Sequence, residues 1–505
     1  MFVRKKHNKS GTISIQIIDK STGQYRVVKS LGASKDPKRI EYLWRQAHVL
    51  IPELTGQTSF DFQTDNDKAV DQYMSNTNSL KVRVVGPEIV FGSLFDEIGF
   101  NKVEDELFRH LVITRLVYPG SKLKTIDYLQ RYQGVTLQKD EIYRFLDKLS
   151  NRYKETVEHI SFAYTRKVLG GNIGVVFYDM TTLYFESEDE DDLRKTGFSK
   201  DGKHQNPQIF LGLLVGLNGY PIGYEIFEGN TYEGHTLIPV LKTFEEKFNL
   251  SKPIVIADAG LLSNENLEYL TQEGYTYILG ARIKNESNQI KKKILGLDLA
   301  DNDSTEIEKD AQTRLIVSYT DKRAKKDKFN RERGLKRLEK NLNRGRLTKS
   351  HINNRGYNKY LKMSGDINIE IDYAKFEADN SWDGLKGYLT NSDLEPEFVI
   401  QNYNNLWQIE KAFRISKTDL RIRPIYHRLR ERIEAHISVA FSAYTIYKEL
   451  ERVLYADNAP ISARRAADLT QTIYALDFEL PDSRQKKVIE IGLSEEQKYL
   501  IQLFR

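Results

Sequence analysis

Three carboxylates stand where charge is hard to explain by folding alone. Asp179 follows the apolar run Ile173-Gly174-Val175-Val176-Phe177-Tyr178, and Asp258 follows Pro253-Ile254-Val255-Ile256-Ala257. Glu410 lies in Tyr403-Asn404-Asn405-Leu406-Trp407-Gln408-Ile409-Glu410-Lys411-Ala412-Phe413-Arg414. A charge closing an apolar strand is costly unless something pairs with it. Either aspartate alone reads as a strand-end cap or a turn residue. Three such groups converging would form a hard, oxygen-rich pocket suited to Mg²⁺. Two cations about 3.5–4 Å apart in such a pocket activate an attacking oxygen and stabilise a leaving one, the requirement of phosphodiester chemistry.

The surroundings of Glu410 fit that chemistry. Tyr403, Glu410 and Lys417 are spaced by seven, two helical turns, and so are expected on one face. Arg414 lies one turn beyond Glu410. One stripe then offers a carboxylate to metal and cations to phosphate; an ion pair between Glu410 and Arg414 along the helix is compatible with the same spacing. Ala259-Gly260 beside Asp258 leaves room for a ligand.

The elements that must position these groups follow from periodicity. Residues 1–60 read as a small β/α unit with two β segments, Thr12–Ile18 and Tyr25–Leu31, and a helix near Pro37 to Leu50. Residues 61–85 read as a polar linker. Residues 86–171 are helical by their apolar spacing. With Arg109, Arg115, Lys122, Lys124 and Arg131 on exposed faces, they suit either a helix-turn-helix-like DNA reader or a bundle packed on the core. From 172 to 283 the order is strand, hairpin, helix, strand, helix, strand, the hairpin marked by Asn218-Gly219. That order predicts an α/β fold with a mixed five-stranded sheet and helices on both faces. Residues 284–380 interrupt it with β segments (Arg314–Tyr319, Ile367–Tyr373) around a cationic helical block, Arg323 to Asn343. Residues 381–445 resume with a strand and the Glu410 helix, and 446–505 read as helical. The stretch Asn230-Thr231-Tyr232-Glu233-Gly234-His235 reads as a loop entering a helix.

At 505 residues, several domains are expected at roughly 150 residues each. The chain has no cysteine, which excludes disulfides, thiolate zinc sites and cysteine catalysis. No apolar run approaches the roughly 20 residues of a membrane span, and the basic start lacks the apolar segment of a secretory signal. A cytoplasmic, nucleoid-associated protein is expected. The net charge of +5 says little, but Lys322 to Lys362 holds sixteen Lys/Arg against three acids. A second basic stretch runs from Lys411 to Arg432. Two cationic blocks flanking a metal site point to a polyanion.

At these residues the sequence resembles the DDE transposases of bacterial insertion sequences, which have an RNase H-like catalytic domain. It is similar to the branch carrying Y-x(2)-R-x(3)-E-x(6)-K with a β-rich insertion before the glutamate helix. Tyr403, Glu410 and Lys417 match; Leu406 stands where the motif has arginine, with Arg414 and Lys411 as the candidate replacements. Tyr178-Asp179-Met180-Thr181-Thr182 and Ala257-Asp258-Ala259-Gly260 resemble the other two acid motifs. The resemblance implies Asp179, Asp258 and Glu410 as catalytic metal ligands for two Mg²⁺ or Mn²⁺ ions. It implies double-stranded DNA as partner, as transposon ends and target, held by a homodimer in a synaptic complex. Water would cut the transposon end, and the freed 3′-hydroxyl would attack target DNA. It further implies that Lys325, Lys326, Arg331, Arg333, Lys336 and Arg337 of the insertion contact end DNA. Trp382 or Trp407 would be available to an extruded base, although Trp407 reads first as a core residue.

Other chemistries compete. A metal nuclease or resolvase on the same fold would cut without joining. A silent DNA-binding derivative would have no use for the three acids. A glycoside hydrolase built on a carboxylate pair is disfavoured by the cationic blocks.

Overall fold

A computed structural model describes residues 1–56, 64, 66–68, 70, 71, 81–200, 202–249, 251–353, 356–364, 368–480 and 485–505. Most of the expected linker 61–85 lies outside the described residues, as does Ile367 of the expected segment Ile367–Tyr373. Contacts divide the chain into two units, Met1–Leu80 with Glu479–Gln485, and Lys81–Phe478 with Lys486–Arg505.

In the first unit β1 (Phe2–His7), β2 (Ile13–Asp19) and β3 (Arg26–Ser34) form an antiparallel meander. Alternation turns Ile15 and Ile17 onto Ile40, Leu43 and Ala47 of the helix Pro37–Thr55. Asp36 caps that helix by accepting from the Lys38 N–H, with Pro37 at the first turn, where no N–H is needed.

The second unit begins with β4 (Lys81–Val84), so the expected linker stops short of residue 85. The central sheet contains β5 (Val175–Tyr184), β6 (Gln208–Val215), β7 (Pro221–Glu228), β8 (Ile254–Ala257) and β9 (Tyr277–Ala281). These are the five expected strands, adjacent in the order β9-β8-β5-β6-β7. The sheet then grows at its β9 edge to eight strands. β10 (Ser304–Glu308), β11 (Arg314–Tyr319) and β14 (Leu385–Thr390) extend it as β10-β11-β14-β9. Two β segments of the insertion therefore cover an edge that would otherwise expose unpaired backbone. The remaining pair, β12 (Leu361–Ser364) and β13 (Asn368–Ile371), forms a separate hairpin. The C-terminal stretch is not purely helical. β15 (Tyr474–Glu479) pairs with both β4 and β16 (Lys486–Ile491), a partnership across nearly the whole chain that local patterning cannot reveal.

Helices cover both faces of the sheet. Leu237, Val240, Leu241 and Phe244 of helix Leu237–Phe248 pack with Val255, Ala257 and Leu279 on one face. On the other, Phe177, Ile256 and Leu213 join Val399, Ile409, Ala412 and the long helix Arg430–Ala456 in the largest core cluster. The helices of residues 93–168 share that same cluster, so they are packed as part of the core. Arg115 and Lys122, expected on exposed faces, are buried. Helix Glu106–Val117 lies against the long helix Arg430–Ala456, and Arg115 donates to the carbonyls of Leu420 and Arg421 just before that helix. Among the described residues no helix is long and apolar enough to cross a membrane.

Candidate active site

β5 and β8 run parallel, with Tyr178 opposite Ala257, where β8 stops. Asp179 and Asp258 are the next residues on each. Asp258 ends its strand as expected, but Asp179 does not: β5 continues to Tyr184, held beyond that point by β6, with Leu213 opposite Asp179. The four-residue β8 is shorter than its neighbour, and its end leaves a notch against β5. Alternation puts Asp179 on the same face as Phe177, the face covered by the Glu410 helix. In open α/β sheets, ligands bind beyond the carboxyl ends of parallel strands.

Burial pushes Asp179 up to about 6. The ammonium of Lys200, 3.6 Å from Oδ1, and the Met180 N–H, 2.7 Å away, oppose that rise, while Asp258 and Glu233 add to it. Asp258 Oδ1 accepts from the Gly260 N–H at 2.7 Å. A Cβ at Gly260 would lie 2.8 Å from that oxygen and 3.5 Å from Glu233 Oε2, so only glycine leaves this space open.

Glu233 and Lys200 are the residues that sequence reasoning missed. Lys200 Nζ donates to Glu233 Oε1 at 2.7 Å and to the Met180 carbonyl at 2.8 Å. Glu233 belongs to the stretch read as a loop entering a helix, which it is. β7 runs in the same direction as β5, because each is antiparallel to β6; the loop after it therefore opens at the same end of the sheet. That topology is the signal that would have found Glu233. Buried Asn266 fixes the loop: its Nδ2 donates to the Gly234 carbonyl at 2.8 Å and to the Leu261 carbonyl at 2.7 Å, tying the Glu233 turn to the Asp258 turn.

Glu410 lies on the helix Trp407–Arg414, which packs against β5 and β6. The Asn218-Gly219 turn anchors it. Both residues take positive φ, 59° and 74°, as a tight hairpin turn requires. The Gly219 N–H donates to Gln408 Oε1 at 3.0 Å, two residues from Glu410. Tyr403, Glu410 and Lys417 do not lie on one continuous helix. Tyr403 belongs to a separate helix, Pro396–Asn404; Asn405 and Leu406 tighten into a turn, and Ile415–Asp419 widens into a π turn. Leu406 and Gln408 each bond to the residue three back, and such tightening changes the angle per residue, so a spacing of seven no longer completes two turns. Tyr403 is buried and Glu410 exposed. Burial raises the Tyr403 phenol, and Asp258 and Glu410 both add to that rise. Among the described residues no three His, Cys, Asp or Glu side chains stand close enough to hold a metal ion. Asp258 and Glu233 thus bear electrostatically on Asp179, while Glu410 does not join them in a group of three. By donor type the aspartates suit a hard cation, and a nearby cation would reverse the rise at Asp179.

The expected DNA contacts separate into two groups. Lys325, Lys326, Arg333, Lys336 and Arg337 are exposed on the helix Asp321–Asn343, and Arg414 is exposed beyond Glu410. Arg331 is turned inward, donating to Asp383 Oδ2 at 2.7 Å. Lys411 is paired with Glu451 of the long helix at 2.7 Å. Lys417 lies half-buried in the π turn. Trp407 is 54% exposed, contrary to its reading as a core residue. Trp382 is half-buried and lines a cavity of about 610 Å³ with Arg323, Lys284 and Lys386. Lys386 was also missed. Its ammonium lies 4.4 Å from the Tyr403 ring centre, and burial, with Arg323 nearby, lowers it to about 8 while Glu410 acts in the opposite sense.

The family model described as the transposase DDE domain matches residues 170–446. Among curated proteins no relative matches. Among solved structures, the chain is similar to a piggyBac transposase synaptic complex with hairpin DNA, at 10% identity and TM-score 0.39, over 77% of this chain and 78% of that one. It is also similar to a Mos1 transposase paired-end complex with the left transposon end, at 13% identity and TM-score 0.16, over 46% of this chain and 71% of that one.

Proposed function

Because this chain belongs to the transposase DDE domain family, we propose that it binds the terminal inverted repeats of a transposon and catalyses metal-dependent cleavage and strand transfer. Asp179, Asp258 and Glu410 are the catalytic carboxylates of this reading. What supports it most is the register of β5 and β8, which puts Asp179 and Asp258 side by side at the first positions beyond the end of β8.

Asp179 and Asp258 would hold Mg²⁺ or Mn²⁺ at the notch, and Glu410, which stands apart from them in this structure, would complete the set for two ions; when bound, these supply Lewis-acid activation of the attacking and leaving oxygens. The chain's own residues prepare the site. Lys200 and the Met180 N–H keep Asp179 from taking up a proton more readily still. Asp258 and Glu410 both bear on the Tyr403 phenol and hold it protonated. Exposed Arg414, Lys325, Lys326, Arg333, Lys336 and Arg337 provide cations for duplex phosphates. The partners are transposon-end and target DNA in a homodimeric synaptic complex, in the cytoplasm at the nucleoid.

Asp179→Asn, Asp258→Asn and Glu410→Gln are each expected to lower strand cleavage by roughly 10³-fold or more while end binding persists. Cleavage at the wild-type rate by any of them removes that residue from the reading. Joining of pre-cleaved ends to target DNA by the wild-type protein separates a transposase from a nuclease that only cuts.

A further inference from the structure

A second charged centre lies away from the acids, in a cleft of about 560 Å³ between the stretch Pro119–Lys124, which enters the helix Lys122–Tyr128, and the segment Arg421–His427. Four basic side chains line it and are almost wholly enclosed: Arg115 is 4% exposed, His436 6%, Lys122 7% and His427 8%. Enclosed cations are normally matched by carboxylates. Here, among the described residues, Lys122 has no hydrogen bond or ion pair. Arg115 carries five N–H donors, yet its bonds are two 3.4 Å contacts from Nη1 to the carbonyls of Leu420 and Arg421. His436 Nε2 donates to the Ile422 carbonyl at 2.8 Å. The carboxylate that bears on His427, Asp147, is taken up by Arg432 through bonds of 2.7 and 2.9 Å.

We propose that this cleft is a binding site for a phosphate group, with Lys122 and Arg115 as its principal donors. A tetrahedral oxyanion supplies what the cleft lacks: negative charge and several acceptors converging from one point. The volume admits it with bound water. The free state is strained accordingly. Burial, with Arg115 beside it, lowers Lys122 well below the ordinary lysine range, and burial together with Lys122, Arg115 and Arg432 holds His427 down at about 3. The cleft also adjoins the catalytic sheet: Ile425 bridges to Phe185, the residue after β5, the strand that carries Asp179. At about 3.3 Å per residue, roughly 20 Å of strand separates Asp179 from this rim. A duplex held at Asp179 and running toward this rim would therefore bring a phosphate to the cleft. A free phosphate offers the same chemistry.

The test uses the full chain with inorganic phosphate, ionic strength being held constant with chloride. The unfolding midpoint of the wild type should rise by about 3 °C at phosphate well above its Kd. Lys122→Met should unfold at a higher temperature than wild type without phosphate, since an unmatched buried charge is gone, and should lose the phosphate response. Lys122→Arg should keep it. A duplex arm separates the sources. If the phosphate is that of DNA, Lys122→Met also lowers the slope of log K against log salt by about one; if the slope is unchanged while the phosphate response is lost, the ligand is a free phosphate. In the wild type, which needs no variant to fold, NMR of the His427 ring should show its titration moving upward when phosphate is added. The proposal is overturned if phosphate moves neither the midpoint nor the ring.

Discussion

The acidic notch beside β8 and the cationic cleft beyond β5 are opposite solutions to enclosing charge. In the notch, negative groups are partly matched: Lys200 lies against both Asp179 and Glu233, and backbone N–H groups reach Asp179 and Asp258. In the cleft, four basic groups face one another and their nearest acid is bound elsewhere. The notch has its own counter-charge and is tuned by it, whereas the cleft depends on charge from outside. Substitutions at the two places should therefore behave differently.

The largest effect expected after loss of the three proposed catalytic acids is in the pH profile of cleavage. Lys200→Met removes the cation that opposes protonation of Asp179, so the acid limb of kcat against pH should move upward, with roughly a 10-fold loss at neutral pH. Glu233→Gln removes a negative neighbour and should move the limb downward. Limbs that move in the same direction would break the account of the notch.

Next in size is Arg331→Met. It leaves Asp383 without its partner and should cost about 3 kcal/mol in urea unfolding. Asp179→Asn tests stability at the notch itself. The ordinary carboxyl value is 3.8 and the folded value about 6, so the folded protein holds the extra proton between them. Stability therefore falls as pH rises through that window, and the cost is complete above it. The asparagine variant should be more stable than wild type by on the order of 2–3 kcal/mol at pH 7, with the gain gone below about pH 4. The smallest effect belongs to the exposed helix face. Lys325→Gln or Lys326→Gln should alter stability by less than about 0.5 kcal/mol and reduce the salt slope of DNA binding by about one.

Much of the catalytic sheet is legible in the sequence because its strands are apolar, short and bounded by turn residues. Asn218-Gly219, the end of β8 at Asp258 and the helical block of the insertion all follow from local pattern. What escapes is set by distant partners. β5 outruns β8, and only the pairing of the two strands shows that Asp179 stands at a notch and not at a strand end. Arg115 and Lys122 look solvated until the distant segment Arg421–His427 and His436 of the long helix are placed beside them. Glu233 and Lys200 come from loops on either side of β6 and β7 and meet the aspartates only once the sheet is assembled. The seven-residue spacing of Tyr403, Glu410 and Lys417 presumes an unbroken helix, which the turn at Asn405 and Leu406 interrupts.

The attachment of the cationic helix Asp321–Asn343 has a mechanical meaning. It leaves β11 through a single capping residue, Thr320, and β11 is laddered to β14, β14 to β9, and β9 to β8. A duplex pulling on the exposed lysines would load this ladder in shear, spread over the six residue pairs between β11 and β14 before reaching the strand that ends at Asp258. The helix would thus be a handle riveted to the plate: tension on a bound duplex would be borne by backbone hydrogen bonds side by side, and the carboxylate at the far end need not move.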